Sequence, residues 1–369
     1  LIGLSDTGIA NLNQAIYRKI ISGQITGPSA TLARGILSSL SVPYGLAVRI
    51  RNSLYASGRL RARQVAVPVI CVGNLTTGGT GKTPLVAWLA GAARDKGQRP
   101  AILTRGYRTD TARLSDEPAE LVALCPDAPV IVNPDRVAGA EEAIGKHGAE
   151  VLLMDDGFQH RRLARDLDIV TIDATAPFGY GHLLPAGLLR EPVSELRRAQ
   201  AVVLTRCDQV QLRALETIEE RVREISPLAV VARAIHAPAQ VERSDGSRIA
   251  LEELKGQRVF AFCGLGNPQA FFETVRRLSC VLAGSRTFDD HHEYTDGCLA
   301  QILAEARRCD AELTLTTRKD WTKAVKLNIG DAAPPFACLS IRMELIAGAS
   351  ALTTLIEEAM AGRMPNRQG

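Results

Sequence analysis

From Val67 onward, short β-branched runs alternate with segments whose apolar residues recur at helical spacing. A strand ending at Gly73 is followed by strand patterns at Ala101–Thr104, Pro129–Val132, Val151–Met154, Leu167–Ile172 and Ala201–Leu204. Helical patterns fall at Pro134–Lys146, Glu191–Arg198 and Leu212–Glu224. This alternation predicts a doubly wound, mostly parallel α/β sheet, a fold that binds ligands at the carboxyl ends of its strands. Over Pro227–Arg248 the rhythm changes to short extended segments, with turn signals at Ala237-Pro238 and Ser244-Asp245-Gly246. That stretch reads as a linker with a small β-ribbon. A second α/β unit then runs through strand Arg258–Phe262, helices Gln269–Leu278 and Gly297–Arg308, and strands Ala311–Leu315 and Phe336–Leu339. A last helix, Gly348–Gly362, suits docking on either unit. The expected organisation is an N-terminal segment (1–66), a core (67–230), a linker (231–250), a smaller α/β domain (251–345) and a C-terminal helix and tail (346–369).

Composition narrows the class. The 369 residues are 46% hydrophobic and 23% charged, enough for two domains with a sizeable core. No run of about 18 apolar residues suggests a membrane span, and the N-terminal order is not that of a signal peptide. The eight cysteines stand singly, with no C-x-x-C pair, so neither a zinc site nor a disulfide framework is expected and a reducing cytoplasm is.

The net charge of +4 conceals an asymmetry. No acidic residue lies between Asp6 and Asp95, while Arg18, Lys19, Arg34, Arg49, Arg51, Arg59, Arg61, Arg63, Lys82 and Arg94 do. A basic, partly amphipathic segment fits an anionic membrane surface, and equally a helical layer whose arginines are solvated. Nucleic acid is not indicated, because the aromatic content is only 4%.

The chemistry begins in VGNLTTGGTGKTP. A strand, a glycine-rich loop and a helix opened by Lys82-Thr83 are the layout of a phosphate-binding loop. Backbone N–H groups wrap the phosphates, Lys82 reaches the terminal ones and the Thr83 hydroxyl is placed for Mg²⁺. Thr76 stands where the strict pattern has glycine; Gly78, Gly79 and Gly81 supply the backbone freedom instead. Pro84 suits the first helical turn, where its missing N–H has no partner to lose.

Further residues cluster at strand ends. Asp155 and Asp156 follow an apolar strand, where a carboxylate beside a phosphate loop commonly anchors Mg²⁺. Gln159, His160, Arg161 and Arg162 follow as a polar wall for an acceptor. In TRGYR, Arg105, Tyr107 and Arg108 suit an anionic sugar or phosphate. In SDEP, Asp116 reads either as part of an acidic first helical turn or as a base taking a proton from an acceptor hydroxyl. In FDDHHEY, His291 and His292 read as surface histidines or as a catalytic pair, with no further ligand spacing to support a metal. AVVLTRCDQ is a faint version of the guanine-reading N-K-x-D segment, but Thr205 and Arg206 replace its Asn and Lys.

In their order, VGNLTTGGTGKTP, TRGYR, SDEP, PDRVAGA, MDDGFQHRRLARD, GYGHLLPAGLLREP, GLGNPQAFF, DDHHEY and TLTTRKD resemble the tetraacyldisaccharide 4′-kinase (lipid A 4′-kinase) family over nearly the whole chain. The resemblance implies a P-loop core joined by a β-linker to a smaller α/β domain. It implies Mg·ATP-dependent phosphorylation of the 4′-hydroxyl of a tetraacyldisaccharide 1-phosphate, giving the lipid A precursor lipid IVA at the cytoplasmic face of the bacterial inner membrane. By the same resemblance Thr80, Lys82 and Thr83 hold the triphosphate and metal, Asp155 and Asp156 serve the metal, and Asp116 is the base, assisted by His291. Glu117, Tyr107, Arg136, Gln159, His160 and Arg190 fall in segments lining the metal and acceptor sites. Asp290 stands where the family usually has proline, and Arg318 where it usually has glutamate. A P-loop switch ATPase or GTPase is the competing reading, but it requires neither the acceptor wall nor the histidine-bearing second domain.

Overall fold

The computed structural model describes residues 16–106, 116–290, 292–325, 327 and 333–362, with only the backbone at 116 and 117. One continuous sheet runs through it in the order β10-β9-β11-β12-β7-β6-β5-β1-β4-β2-β3, with β8 (Arg248–Ile249) paired to β7. The core half is parallel: β1 (Val69–Gly73) lies between β4 (Val151–Asp155) and β5 (Leu167–Asp173). Beyond β4 lie β2 (Pro100–Thr104) and β3 (Val130–Val132), and beyond β5 lies β6 (Ala201–Thr205). All of β1, β2, β4, β5 and β6 is buried, which is why these strands read as near-continuous apolar runs, interrupted in β5 by Asp168 and Thr171, rather than as alternation.

Helices cover both faces. On one, the helix Lys82–Asp95 packs Leu85, Val86, Leu89 and Ala93 against Ile70, Val72 and Leu153. The C-terminal helix, Ala349–Met360, joins that same core through Leu352, Ile356 and Ala359. The last helix therefore docks on the phosphate-loop half. The segment Arg136–His147 packs Val137, Ala140 and Ala143 on the opposite face. Its start is set by Asp135, whose carboxylate accepts the N–H groups of Val137 and Ala138, and its end by Gly148 in the left-handed region.

The stretch expected to be a linker is β7 (Val230–Arg243), a 14-residue strand. Its first residues pair parallel to β6, and nearly its whole length pairs antiparallel to β12 (Phe336–Ala347). The pattern Phe336–Leu339 thus marks only the buried beginning of β12; the rest is half exposed and reads as polar. Through β12 the ribbon carries β11 (Leu313–Thr317), β9 (Arg258–Cys263) and β10 (Val281–Thr287). The sequence pattern missed β10, an edge strand with few buried positions. Glu191–Arg198, expected to be helical, is a 3₁₀ turn over Val193–Arg198.

Before the sheet, the helix Pro28–Ala56 continues through Pro43. A proline there removes an intrahelical bond, but tertiary bonds grip the helix on either side. The Ser41 hydroxyl bonds Leu183 O at 3.0 Å, and Tyr44 Oη donates to Arg190 O at 2.9 Å.

The end of β1 is a tight backbone approach beside the site. A Cβ on Gly73 would stand 2.5 Å from Phe158 Cβ and 2.7 Å from its backbone nitrogen. Gly73→Ala is expected to destabilise the protein by roughly 1–3 kcal/mol, the range for overpacking a close-packed core. Urea unfolding checks this; an unchanged midpoint would show that the contact is slack.

Candidate active site

The glycine-rich loop leaves β1 at Asn74 and enters helix Lys82–Asp95 at Gly81. Gly78 (φ 114°) and Gly81 (φ 86°) take backbone conformations that other residues rarely adopt, so these two positions need glycine. Thr80 is buried: its Oγ1 lies 2.7 Å from Thr171 Oγ1, and its carbonyl accepts a 2.9 Å bond from Thr205 Oγ1. With that hydroxyl turned into the core, what Thr80 offers the loop interior is its backbone N–H. The first helical turn carries Lys82 and Thr83 to the loop mouth, where the unsatisfied N–H groups of a helix start attract anions.

Asp156 faces that mouth from the turn after β4, at φ 48°. Arg190 grips it in bidentate fashion, Nη1 to Oδ2 at 2.9 Å and Nη2 to Oδ1 at 2.8 Å, and Lys82 Nζ stands 3.5 Å from Oδ1. Burial opposes ionisation, but Lys82 and Arg190 together outweigh it and hold the carboxyl well below its usual range. Arg190 also donates to the side chain and the carbonyl of Asn74. Asp155, at the last position of β4, is 1% exposed.

Around this pair the polar wall divides. Gln159 Nε2 donates to Asn74 O at 2.9 Å and to Glu191 Oε2 at 3.3 Å. Desolvation, followed by Arg136, Arg165 and Arg162, pushes the His160 pKa down to about 4, so its imidazole is neutral at pH 7. Arg136 is 3% exposed and turns its donors to backbone carbonyls, Asn133 O at 2.7 Å and Asp155 O at 3.4 Å. It therefore braces the end of β4, whereas Arg105, the residue after β2, is exposed.

Two participants were not singled out from the sequence. Asn74 is fully buried and ties the loop to Arg190 and Gln159. Glu191 is fully buried and accepts from Arg51 (2.7 Å), Asn52 (3.1 Å), Gln159 (3.3 Å) and Arg198 (2.5 Å). Both adjoin residues that were singled out, Gly73 and Arg190, and adjacency was the available signal.

In the second lobe, described residues on either side of position 291 are bonded to the body of the lobe. Asp320, 1% exposed, accepts from Tyr294 Oη at 3.0 Å, Thr317 Oγ1 at 2.7 Å and Gly264 N at 3.0 Å. His292 stacks on Phe288 with ring centroids 4.5 Å apart, and Asp290 pairs with Lys319 at 2.6 Å. Arg318, the departure noted above, donates to Ser340 at 2.7 Å and Glu242 at 3.0 Å on the ribbon. Tyr107, Arg108 and His291 lie outside the described residues, as do the side chains of Asp116 and Glu117, whose backbone opens the helix Asp116–Leu124.

Among the described residues, no cluster of three His, Cys, Asp or Glu side chains makes a self-sufficient metal cage. Two carboxylates and a threonine hydroxyl at a phosphate loop instead suit a hard cation that completes its shell with phosphate and water, the habit of Mg²⁺. Asp155, Asp156 and Thr83 therefore fit that ion.

Comparison with known proteins agrees with this geometry. Residues 33–361 match the family described as LpxK, tetraacyldisaccharide-1-P 4′-kinase. A tetraacyldisaccharide 4′-kinase of Anaeromyxobacter sp. (strain K) is 37% identical over 91% of this chain and 93% of its own length. Its counterpart in Geobacter metallireducens is 39% identical over 80% and 89%. A crystal structure of LpxK from Aquifex aeolicus in complex with ATP superposes with a TM-score of 0.69 at 31% identity, covering 89% of this chain and 99% of that one. The chain belongs to the tetraacyldisaccharide-1-phosphate 4′-kinase family.

Proposed function

We propose that this chain passes the γ-phosphoryl group of ATP in line to the 4′-hydroxyl of a tetraacyldisaccharide 1-phosphate, the reaction for which its relatives are named. The observation that carries this reading is the setting of Asp156, a carboxylate held between Lys82 and Arg190 at the mouth of a glycine-rich loop. Loop N–H groups and Lys82 bind the triphosphate, and Thr83, Asp155, Asp156 and Glu117 are the oxygen donors for Mg²⁺. Held by those residues, Mg²⁺ would supply positive charge to neutralise the triphosphate during transfer. Arg105, Tyr107, Arg136, Gln159, His160 and Arg190 line or brace the acceptor side.

Asp116 takes the proton of the attacking hydroxyl, with His291 from the second lobe orienting it or sharing the proton. Little covalent work falls to the protein, so alignment and electrostatic stabilisation supply most of the rate. A neutral His160 can accept or donate a hydrogen bond without adding charge beside the phosphates. Approach of the lobes excludes water and limits wasteful hydrolysis of ATP.

The acceptor is a lipid, and the helix Pro28–Ala56 supports its capture at a membrane. Leu32, Ile36, Leu40, Val42, Leu46 and Ile50 are exposed on it, while Ala30, Gly45, Val48 and Asn52 face inward. Among the described residues, no helix is long and apolar enough to cross a bilayer. This helix therefore lies in the interface, its leucines and isoleucines among acyl chains and the exposed Arg49 near anionic headgroups. The cytoplasmic face of the inner membrane is the location this implies.

Incubation with labelled ATP and a tetraacyldisaccharide 1-phosphate tests the reaction: label is expected on the lipid, and acceptor-independent hydrolysis alone would favour a switch ATPase. Asp116→Ala is expected to lower transfer by at least about 100-fold, the lower bound for losing a general base, with ATP binding retained. Near-normal transfer by that variant would remove Asp116 as the base. Ile36→Asp combined with Leu40→Asp is expected to weaken binding to anionic vesicles by at least about ten-fold, since charged groups replace buried apolar ones. Unchanged vesicle binding would remove this helix as the membrane face.

A further inference from the structure

His236 lies under the phosphate loop and has no place in the chemistry above. It sits on β7, opposite Met343 of β12, just past the last residues that pair β7 with β6. The side chain is 9% exposed, and its Nε2 has no hydrogen-bond partner among the described residues. A Cβ built on Gly81 would stand 2.6 Å from that nitrogen and 3.2 Å from Thr205 Cγ2. Between the imidazole and the loop interior there is therefore only the backbone of a residue without a side chain.

Packing does not account for a histidine in this position. A buried polar atom left unpaired costs about 1–3 kcal/mol, which a leucine of similar size would avoid. Burial, and then the nearby Arg206, push its pKa down to about 3, so the ring is neutral and adds no charge beside the phosphates. A neutral imidazole keeps one donor and one acceptor nitrogen. Its strand is also the one shared by both halves of the sheet: β7 pairs with β6 in the core and with β12, which carries the second lobe.

We propose that His236 is a positioning residue of the phosphate loop, whose Nε2 hydrogen-bonds the loop backbone once the phosphates draw the loop in. It sets the height of Gly81, so that the Gly81 and Lys82 N–H groups point at the phosphates. It also ties the loop to the ribbon that carries the second lobe. The proposal rests on the reading of this loop as the ATP site.

Calorimetric titration of the full chain with ATP and with inorganic tripolyphosphate tests it. Lys82→Ala is measured first. If the wild type binds neither ligand, or Lys82→Ala binds both as tightly as the wild type, the loop is not the triphosphate site and the underlying reading fails. Once Lys82-dependent binding is established, His236→Leu is expected to weaken both ligands by about ten-fold, the equivalent of one lost hydrogen bond. The KM for ATP rises with it, while the KM for the lipid acceptor stays constant. His236→Gln, which restores a polar group near the position of Nε2, is expected to recover most of the loss. In a cycle with Gly81→Ala, whose methyl group meets the ring, the two effects are expected to be non-additive. Equal affinities in wild type and His236→Leu would overturn the proposal. So would equal affinities in the Leu and Gln variants, additive effects in the cycle, or a loss seen with ATP but not with tripolyphosphate, which would make His236 a reader of the nucleoside. Should His236→Leu not fold, His236→Asn replaces it in the comparison with Gln, and the same equalities overturn the proposal.

Discussion

Burial of the central strands on both faces is the constraint from which the site follows. In β1 and its neighbours the backbone polar groups are consumed by the sheet, and the side chains on both faces are apolar apart from Asp168 and Thr171 within β5. Polar chemistry therefore gathers mainly where such strands end. Gly73, Thr104, Asp155, Asp173 and Thr205 are each the last residue of a buried strand, and the glycine-rich loop, the paired carboxylates Asp155 and Asp156 and the pins of the loop lie at or next to them. The sheet thus supplies a rigid row of anchor points, and the loops between strands and helices supply the reacting groups.

Charge at that row is arranged in two adjacent centres. Asp156 is held by Lys82 and Arg190 at the loop mouth, and Glu191 is held by Arg51, Asn52, Gln159 and Arg198 behind it. Breaking a buried ion pair by removing one partner costs about 3–5 kcal/mol, which gives such centres a well-defined geometry. Glu191 also joins the site to the helix Pro28–Ala56. One face of that helix is exposed and apolar; the other holds the chain segment that carries Arg190. The element suited to a lipid surface is thereby bonded to the wall of the catalytic centre.

Much of this was legible in the chain. The buried strands of the core announced themselves as β-branched runs, and Asp135 and Gly148 bracketed their helix as capping chemistry requires. The loop was readable because Gly78, Gly81, Lys82 and Thr83 are adjacent in sequence, and local geometry dictates their residue types. Edge strand β10 and the outer length of β12 were not readable, because half-exposed strands carry mixed polarity. The helix Pro28–Ala56 runs through Pro43, with tertiary bonds from Ser41 and Tyr44 holding it on either side.

By itself the sequence determined the parallel α/β architecture, the phosphate loop, the strand-end carboxylates and the family resemblance, since each is written in residues close together along the chain. Only the tertiary structure decided which guanidinium meets which carboxylate. Arg136 was expected beside an acceptor and is turned to the carbonyls of Asn133 and Asp155, whereas Arg190 reaches 34 positions back to Asp156. The same holds for Glu191 and His236, whose surroundings include segments more than 100 residues away. Long side chains and shared strands bring together groups that no local pattern links, and burial then determines which of them are paired and which remain neutral.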